Sequence, residues 1–195
     1  MVVRIDRVTT RGGDRGETSL GDGSRISKAS AHIAALGSLD EANTVIGVLR
    51  AHVMNDNALG DRLSALQNML FDLGSDLCQP QDNAKAQRVS ISLAEDIDQE
   101  IDHLREKQEP LRSFILPGGS LPAAWAHMAR ASVRRAERDV VALSQSVEIN
   151  GAIVSILNRL SDYFFVLARH LNDDGRNDTL WAPGRSLREA SIPDT

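Results

Sequence analysis

Apolar residues recur along this chain three or four positions apart, which is the spacing of side chains on one face of an α-helix. The clearest run, over residues 58–77, places leucines alternately four and three apart and predicts a helix whose leucine seam packs against other helices. The same spacing predicts three more helices, over 30–54, 90–107 and 149–171. The last of these has the most continuous apolar face, so it should be central to the fold.

A further helix, fourth in chain order, is predicted by its start rather than by a strong apolar face. The Pro-Gly-Gly sequence at 117–119 ends the preceding structure. Ser120 can cap a new helix, and Pro122 suits the first turn because its missing N–H would have no partner there. The helix therefore begins near Leu121.

Five helices with short connections predict one all-α domain, a five-helix up-and-down bundle over residues 30–172. Before the bundle, residues 1–29 have no helical pattern and are dense in glycine, hydroxyl and charged residues. After it, residues 173–195 lack periodicity and predict an irregular tail. The sequence shows no β-rich run and no internal repeat.

The composition excludes several classes of function. Charged residues make up 25% of the chain and hydrophobic residues 42%, as in ordinary soluble globular proteins. The net charge of −5 argues against a general nucleic-acid binder, so any anion site must be local. The single cysteine excludes an intrachain disulfide and a cysteine-based zinc site, and the five histidines lack metal-ligand spacing. No segment is apolar enough for a signal peptide or a membrane span, so we expect a cytoplasmic protein.

Three arginines on the fourth helix share one stripe. Arg130, Arg134 and Arg138 lie four residues apart, and Glu137 alone cannot offset their charge. Like charges at this spacing repel each other by about 0.2–0.5 kcal/mol per pair. The stripe is either a solvated surface, which is the commoner case, or a site for a polyanionic ligand.

The N-terminal segment offers a second candidate anion site. Its glycines at 12, 13, 16, 21 and 23 permit close approach of the backbone to a ligand, and Thr10, Thr18 and Ser19 supply hydroxyls. The segment is not a Walker sequence, because Gly-Lys-Ser/Thr is absent. It is either a phosphate cradle or a flexible terminus.

Several motifs in a fixed order carry a resemblance to a known family. They are T-R-G-G-D-R-G-E-T-S-L with R-I-S-K, then L-G-S-L-D-E-A-N, then F-I-L-P-G-G-S with R-x-x-x-R-R-A-E-R, then L-N-R-L-S-D-Y-F-F-V-L-A-R, and L-W-A-P-G near the end. Together they resemble the signatures of the PduO-type ATP:corrinoid adenosyltransferases over about residues 5 to 185. Thr9 and the Gly-Asp-Gly sequence at 21–23 depart from the usual pattern.

The resemblance implies a homotrimer of five-helix bundles with active sites between subunits. Such an enzyme transfers the 5′-deoxyadenosyl group of ATP to the cobalt of cob(I)alamin and releases adenosylcobalamin and triphosphate. ATP, cobalamin and Mg²⁺ are implied, with Mg²⁺ carried by the ATP phosphates and not by the protein. A cobalamin reductant and an adenosylcobalamin-dependent enzyme as product acceptor are implied partners, without nucleic acid or membrane.

The resemblance also implies roles for individual residues. Arg130 would pair with Asp40 across the subunit boundary, Arg134 would act at the phosphates, and Phe114 would exclude the lower axial ligand of the corrinoid. The glycine-rich loop would fold over ATP. The residues implied in ATP binding are Thr10, Arg11, Gly12, Gly13, Thr18, Ser19, Lys28, Arg134, Arg135, Ala136, Glu137, Arg138 and Asn158.

Two other functions fit many of the same residues. A nucleotide- or phosphate-binding regulator without turnover would use the arginines and the glycine-rich loop but would not need Phe114. A corrinoid carrier that hands its cofactor to another enzyme would retain its ligand until that partner or more ATP released it.

Overall fold

The structure is a computed structural model that describes residue 9 and residues 11–186. The predicted five helices are confirmed, and for the four with two predicted ends each end lies within three residues of the observed one. None of the helices in this part of the chain combines the length and the apolar character that a membrane span requires. The helices are α1 Ala31–Ala51, α2 Asn57–Leu77, α3 Ser92–Arg105, α4 Leu121–Ser144 and α5 Ala152–His170.

The fourth helix lies between the first and the fifth. α4 packs against both α1 and α5, while α2 covers α1 and α3 covers α5. α4 contributes mainly small side chains to these interfaces, and Ala126, Ala129, Val133 and Ala136 are completely buried. Such small side chains let neighbouring helices approach closely without leaving voids. The weak apolar signal of α4 in the sequence therefore reflects its buried alanines and not a peripheral position.

Side-chain caps fix the starts of three helices. Ser30, Asp56 and Ser120 each accept a hydrogen bond from a backbone N–H in the first turn of α1, α2 and α4 respectively. Each such cap contributes about 1 kcal/mol to stability, because it satisfies a donor that the helix leaves free. The predicted capping role of Ser120 is confirmed, with its hydroxyl 3.2 Å from the N–H of Ala123.

A short β-hairpin precedes the bundle, and the sequence analysis missed it. Strands β1 Glu17–Ser19 and β2 Arg25–Ser27 pair antiparallel. Their turn contains Gly23 at φ 85°, a conformation that favours glycine, and Asp22 accepts hydrogen bonds from the N–H and hydroxyl of Ser24. An Asp-Gly turn is a hairpin signal, but strands of three residues are too short to show alternation.

A buried carboxylate fixes the connection after α2. Asp76 is fully buried and accepts hydrogen bonds from the guanidinium of Arg88 at 2.6 Å, the N–H of Val89 at 2.9 Å and the amide of Asn150 at 2.8 Å. These three donors satisfy the carboxylate, which a buried charge requires. The polar loop after α2 is thereby tied to the start of α5.

Candidate functional site

The arginine stripe lines a groove between α4 and α5, which we call the arginine groove. It encloses about 570 Å³. The three arginines predicted to share one stripe all line it, so that prediction is confirmed. The lining residues are Arg130, Ala131, Arg134, Arg135, Glu137, Arg138, Val141 and Asn158.

Arg130 is a partly buried member of this groove. Its guanidinium carbon lies 5.9 Å from the ring centroid of Phe165, and its buried Nε has no hydrogen-bond partner among the described residues. Burial, and then the positive charge of Arg134, lower the pKa of Arg130 below its usual value. The groove therefore holds positive charge that the described residues do not fully neutralise, and an anion placed there would lower the electrostatic energy.

Other members of the lining are paired within the chain. Arg135 forms an ion pair with Glu41 of α1. Asn158 of α5 donates a hydrogen bond to Glu137 at 3.1 Å and accepts one from Arg159 at 3.1 Å. Asn158 and Arg159 thus connect α5 to its neighbours, since Arg159 also pairs with Asp98 of α3 at 2.7 Å.

Ala136 is placed differently from its neighbours in the predicted ATP-binding run. Its side chain is completely buried in the core, so it packs between helices and does not line the groove. Neighbouring residues on a helix point in different directions, so Ala136 faces α1 and α5 although the arginines next to it in the sequence face the groove.

The glycine-rich loop is folded onto the hairpin by two cations. Arg25 donates to the carbonyl of Gly12 at 2.9 Å, and Lys28 donates to the carbonyl of Gly13 at 3.0 Å. Arg11 adopts φ 58°, which is uncommon for a residue other than glycine. The hydroxyl of Ser19 accepts from Arg25 at 3.3 Å.

The loop and the groove are separate within one chain. None of the described residues from 11 to 28 lines the arginine groove. Thr18 is half-buried in the hairpin, and Thr10 lies outside the described residues. The structure therefore brings together Arg130, Arg134, Arg138 and Asn158, but it does not add the glycine-rich loop to them.

Asp40 and Phe114 also lie away from the arginine groove. Asp40 is exposed and lines a second groove of about 370 Å³, between α1 and α2, whose rim includes the 69% exposed Phe71. Phe114 is 77% exposed and its ring lies 6.0 Å from that of Trp181. Arg130 and Asp40 thus face different grooves of the same bundle.

Sequence reasoning did not assign the roles of three residues that shape these sites. Glu41 neutralises Arg135, Phe165 lies beneath Arg130, and Arg25 holds the glycine-rich loop. Glu41 and Arg25 had no local signal, because their partners are distant in the sequence. Phe165 lies beside the apolar seam of α5, and the sequence pattern there does not distinguish a phenylalanine that borders a groove from one in the core.

Comparisons with known proteins agree on one family. The family model described as Cobalamin adenosyltransferase matches residues 8–171. A Cobalamin adenosyltransferase of Cupriavidus metallidurans is 43% identical, with 91% of this chain and 95% of that protein covered. A Corrinoid adenosyltransferase of Mycobacterium tuberculosis is 41% identical, with 94% and 97% covered.

A solved structure shows the same fold. It is a phenylalanine-to-histidine variant of the PduO-type ATP:corrinoid adenosyltransferase from Lactobacillus reuteri, complexed with cobalamin and ATP. It superimposes with a TM-score of 0.86 at 31% identity, with 91% of this chain and 97% of that chain covered.

Proposed function

This chain belongs to the cobalamin adenosyltransferase family, and from that premise we propose how its residues carry out the reaction. It is a corrinoid adenosyltransferase, which transfers the 5′-deoxyadenosyl group of ATP to the cobalt of cob(I)alamin and gives adenosylcobalamin and triphosphate. ATP and the corrinoid are both substrates of this reaction.

The observation that carries the site proposal is the arginine groove. The partly buried Arg130 and the exposed Arg134 and Arg138 lie together with no ion pair among the described residues. Arg130 differs in this from the other partly buried arginines of the bundle, which are paired: Arg62, Arg88, Arg135 and Arg159. Unpaired cations on one helix face repel each other, and a triphosphate would offset that repulsion. Arginine suits this role because its planar fork donates two hydrogen bonds to phosphate oxygens.

The reaction needs alignment and charge stabilisation more than proton transfer. Co(I) attacks C5′ of ATP, a cobalt–carbon bond forms, and the C5′–oxygen bond breaks with its electron pair leaving on triphosphate. The cobalt supplies both electrons, so no general base is required. We assign to Arg134 and Arg138 the stabilisation of negative charge that develops on the departing triphosphate.

The glycine-rich loop would complete the phosphate site. Arg25 and Lys28, which now hold the carbonyls of Gly12 and Gly13, would turn toward phosphate oxygens that are better acceptors for a cation. Arg11, Thr18 and Ser19 lie on the same loop and hairpin. Mg²⁺ would be carried by the phosphate oxygens, which are the hard ligands that it prefers.

The separation of these parts within one chain supports a site between subunits. The arginine groove of one subunit would receive the glycine-rich loop and Asp40 of its neighbour, with Asp40 pairing with Arg130. Asp40 is exposed, and Arg130 lines the open groove without an ion pair among the described residues, so both are available for such a contact. A homotrimer would repeat this contact three times in a closed ring.

Phe114 would act on the corrinoid rather than on ATP. An apolar ring that is 77% exposed is available to lie against a large ligand. Placed at the lower face of the corrin, it would exclude water and the lower axial ligand from cobalt. The resulting four-coordinate state is easier to reduce to Co(I).

The reaction places this enzyme between two other activities. Its substrate requires a reductase that supplies electrons to the corrinoid, and its product serves an adenosylcobalamin-dependent enzyme. We place this reaction in the cytoplasm, a reducing compartment that suits a chain whose single cysteine can form no intrachain disulfide.

A spectral assay tests the proposed function. Reduced cobalamin, Mg-ATP and the purified protein are mixed, and we expect the absorption spectrum to change to that of adenosylcobalamin, with one triphosphate released per product. ATP binding without this change would instead identify a regulator. Corrinoid binding without turnover would identify a carrier.

A further inference from the structure

The segment that carries Phe114 is held at both ends and in its middle by one polar network, whose centre is a buried ion pair. The backbone N–H of Trp181 donates to the carbonyl of Phe114 at 2.7 Å, and the backbone N–H of Leu116 donates to the carbonyl of Thr179 at 2.8 Å. The hydroxyl of Ser113 donates to the carbonyl of Trp181 at 2.8 Å. These bonds make a short antiparallel ladder between residues 113–116 and 179–181.

An ion pair anchors this ladder immediately before Thr179. Asp178 accepts from Nε of Arg169 at 2.9 Å, and the two side chains are only 3% and 9% exposed. Arg169 also donates to the carbonyl of Glu109 at 3.0 Å, which fixes the chain five residues before Phe114. Gly175 passes so close to the guanidinium of Arg169 that a Cβ there would clash.

The other oxygen of Asp178 fixes the far end of the same segment. It accepts from the amide of Asn172 at 2.9 Å, and the amide oxygen of Asn172 accepts from the N–H of Ser120 at 3.2 Å. Gly119 packs against Asn172 with no room for a Cβ. We call these groups the C-terminal clasp: Arg169, Asn172, Asp178 and the ladder between 113–116 and 179–181.

We propose that Arg169 and Asp178 are positioning residues that hold Phe114 at the orientation in which it meets the corrinoid. The argument rests on the proposed role of Phe114. Although the ring is exposed, its backbone is fixed before, at and after residue 114, and all three attachments lead to one buried ion pair. A fixed backbone lets an exposed ring exclude a ligand, because a mobile ring would lose much of its contact energy to conformational entropy.

The test compares Asp178→Asn with Asp173→Asn. Asp173 pairs with Arg176 on the surface of the same segment, and among the described residues its side chain forms no hydrogen bond with the ladder. For Asp178→Asn we expect kcat with cobalamin to fall by about tenfold or more, as misplacement of an aligning group does, while KM for ATP changes less than about twofold. Asp173→Asn should match the unmodified protein. A milder loss is expected for Ser113→Ala, which removes one ladder bond and leaves the ion pair intact.

Two readouts distinguish positioning from general damage. Bound cob(II)alamin should lose part of its four-coordinate signal in the electron paramagnetic resonance spectrum of Asp178→Asn. Hydrogen exchange should speed up at the N–H groups of Trp181 and Leu116 but not in α4.

Each contrary outcome has a definite meaning. Unchanged exchange at these two groups, or a kcat equal to that of Asp173→Asn, would overturn the positioning role while the adenosyl transfer of the unmodified protein stands. If the unmodified protein forms no adenosylcobalamin, the proposed function fails, and exchange still reports whether the clasp holds the segment.

Discussion

Two groups of arginines in this bundle have opposite surroundings. In the C-terminal clasp, Arg169 is buried, its Nε donates to the carboxylate of Asp178 and its Nη2 donates to the carbonyl of Glu109. In the arginine groove, Arg130, Arg134 and Arg138 share a face, and no ion pair holds them within the described part of the chain. The paired arginine stabilises the fold, whereas the unpaired cluster raises the energy of the free protein and is expected to lower it when an anion binds.

The largest expected effect comes from removing the buried ion pair between Arg169 and Asp178. Arg169→Met keeps an apolar stem but leaves Asp178 buried without its cation, and such a loss lowers the free energy of unfolding by about 3–5 kcal/mol. Arg176→Met is the matched control, because Arg176 pairs with Asp173 at the surface. Urea denaturation measures both. Equal stability of the two variants would show that the buried ion pair does not hold the clasp.

The next effect addresses the unpaired cluster. Arg134→Ala should cost about 2–4 kcal/mol of transition-state stabilisation, as loss of one donor to a developing anion does. Its stability should be unchanged or slightly higher, because repulsion from Arg130 and Arg138 is relieved. Steady-state kinetics and urea denaturation are measured on the same sample.

A matched control for Arg134 is Arg50→Ala, which removes an exposed arginine from α1. We expect normal turnover from it. Near-normal turnover of a folded Arg134→Ala variant would remove Arg134 from the site and return the stripe to a solvated surface.

A third effect distinguishes the binding of ATP from the reaction with the corrinoid. Phe114→Ala should leave ATP binding unchanged but lower the rate with cobalamin by about tenfold more than the rate with cobinamide, which has no lower ligand to displace. ATP binding is measured by titration calorimetry and the rates by absorbance. Equal losses with both corrinoids would contradict ligand exclusion by Phe114.

The smallest effect concerns His127, whose pKa depends on one charged group from each region, Arg130 of the arginine groove and Asp178 of the clasp. Burial and then the charge of Arg130 lower the pKa of His127, while Asp178 acts weakly in the other direction. Because the folded pKa lies below the unfolded one, the folded protein binds less proton, and stability is lost as the pH falls below about 6.5, the ordinary histidine value. His127→Phe keeps the edge contact with Phe165 and should lose less stability between neutral and mildly acidic pH.

Urea denaturation at the two pH values measures this difference. Other groups also titrate in this range, so only the difference between His127→Phe and the unmodified protein is informative. An identical loss of stability in both would show that His127 does not contribute to it.

Much of the fold followed from local patterns. Leucine spacing located α2, and the Ser120 and Pro122 pair located the start of α4, because capping and periodicity depend on neighbours in the sequence. The hairpin at Glu17–Ser19 and Arg25–Ser27 was missed, although Asp22-Gly23 is a turn signal, because three-residue strands give no periodicity. The tail was predicted to be irregular, and no local sequence pattern indicated that Asp178 anchors it to Arg169.

The candidate site was predicted in part. The stripe of Arg130, Arg134 and Arg138 followed from their spacing. The structure adds that Asn158 of α5 lines the opposite side of the same groove. The assignment of the glycine-rich loop, Asp40 and Phe114 to one active site depends on the family and on assembly. Within the described chain these groups face different directions, so no helical pattern could have joined them.

The sequence by itself determined five helices, their order and the face on which three arginines lie, because these depend on spacing of a few residues. Only the tertiary structure decided which charges are paired. Arg135 meets Glu41 and Arg169 meets Asp178, while Arg130 keeps a nitrogen without a partner among the described residues. The physical reason is that pairing depends on which helices become neighbours, and a charge has the same local signature whether its partner is a carboxylate or a substrate.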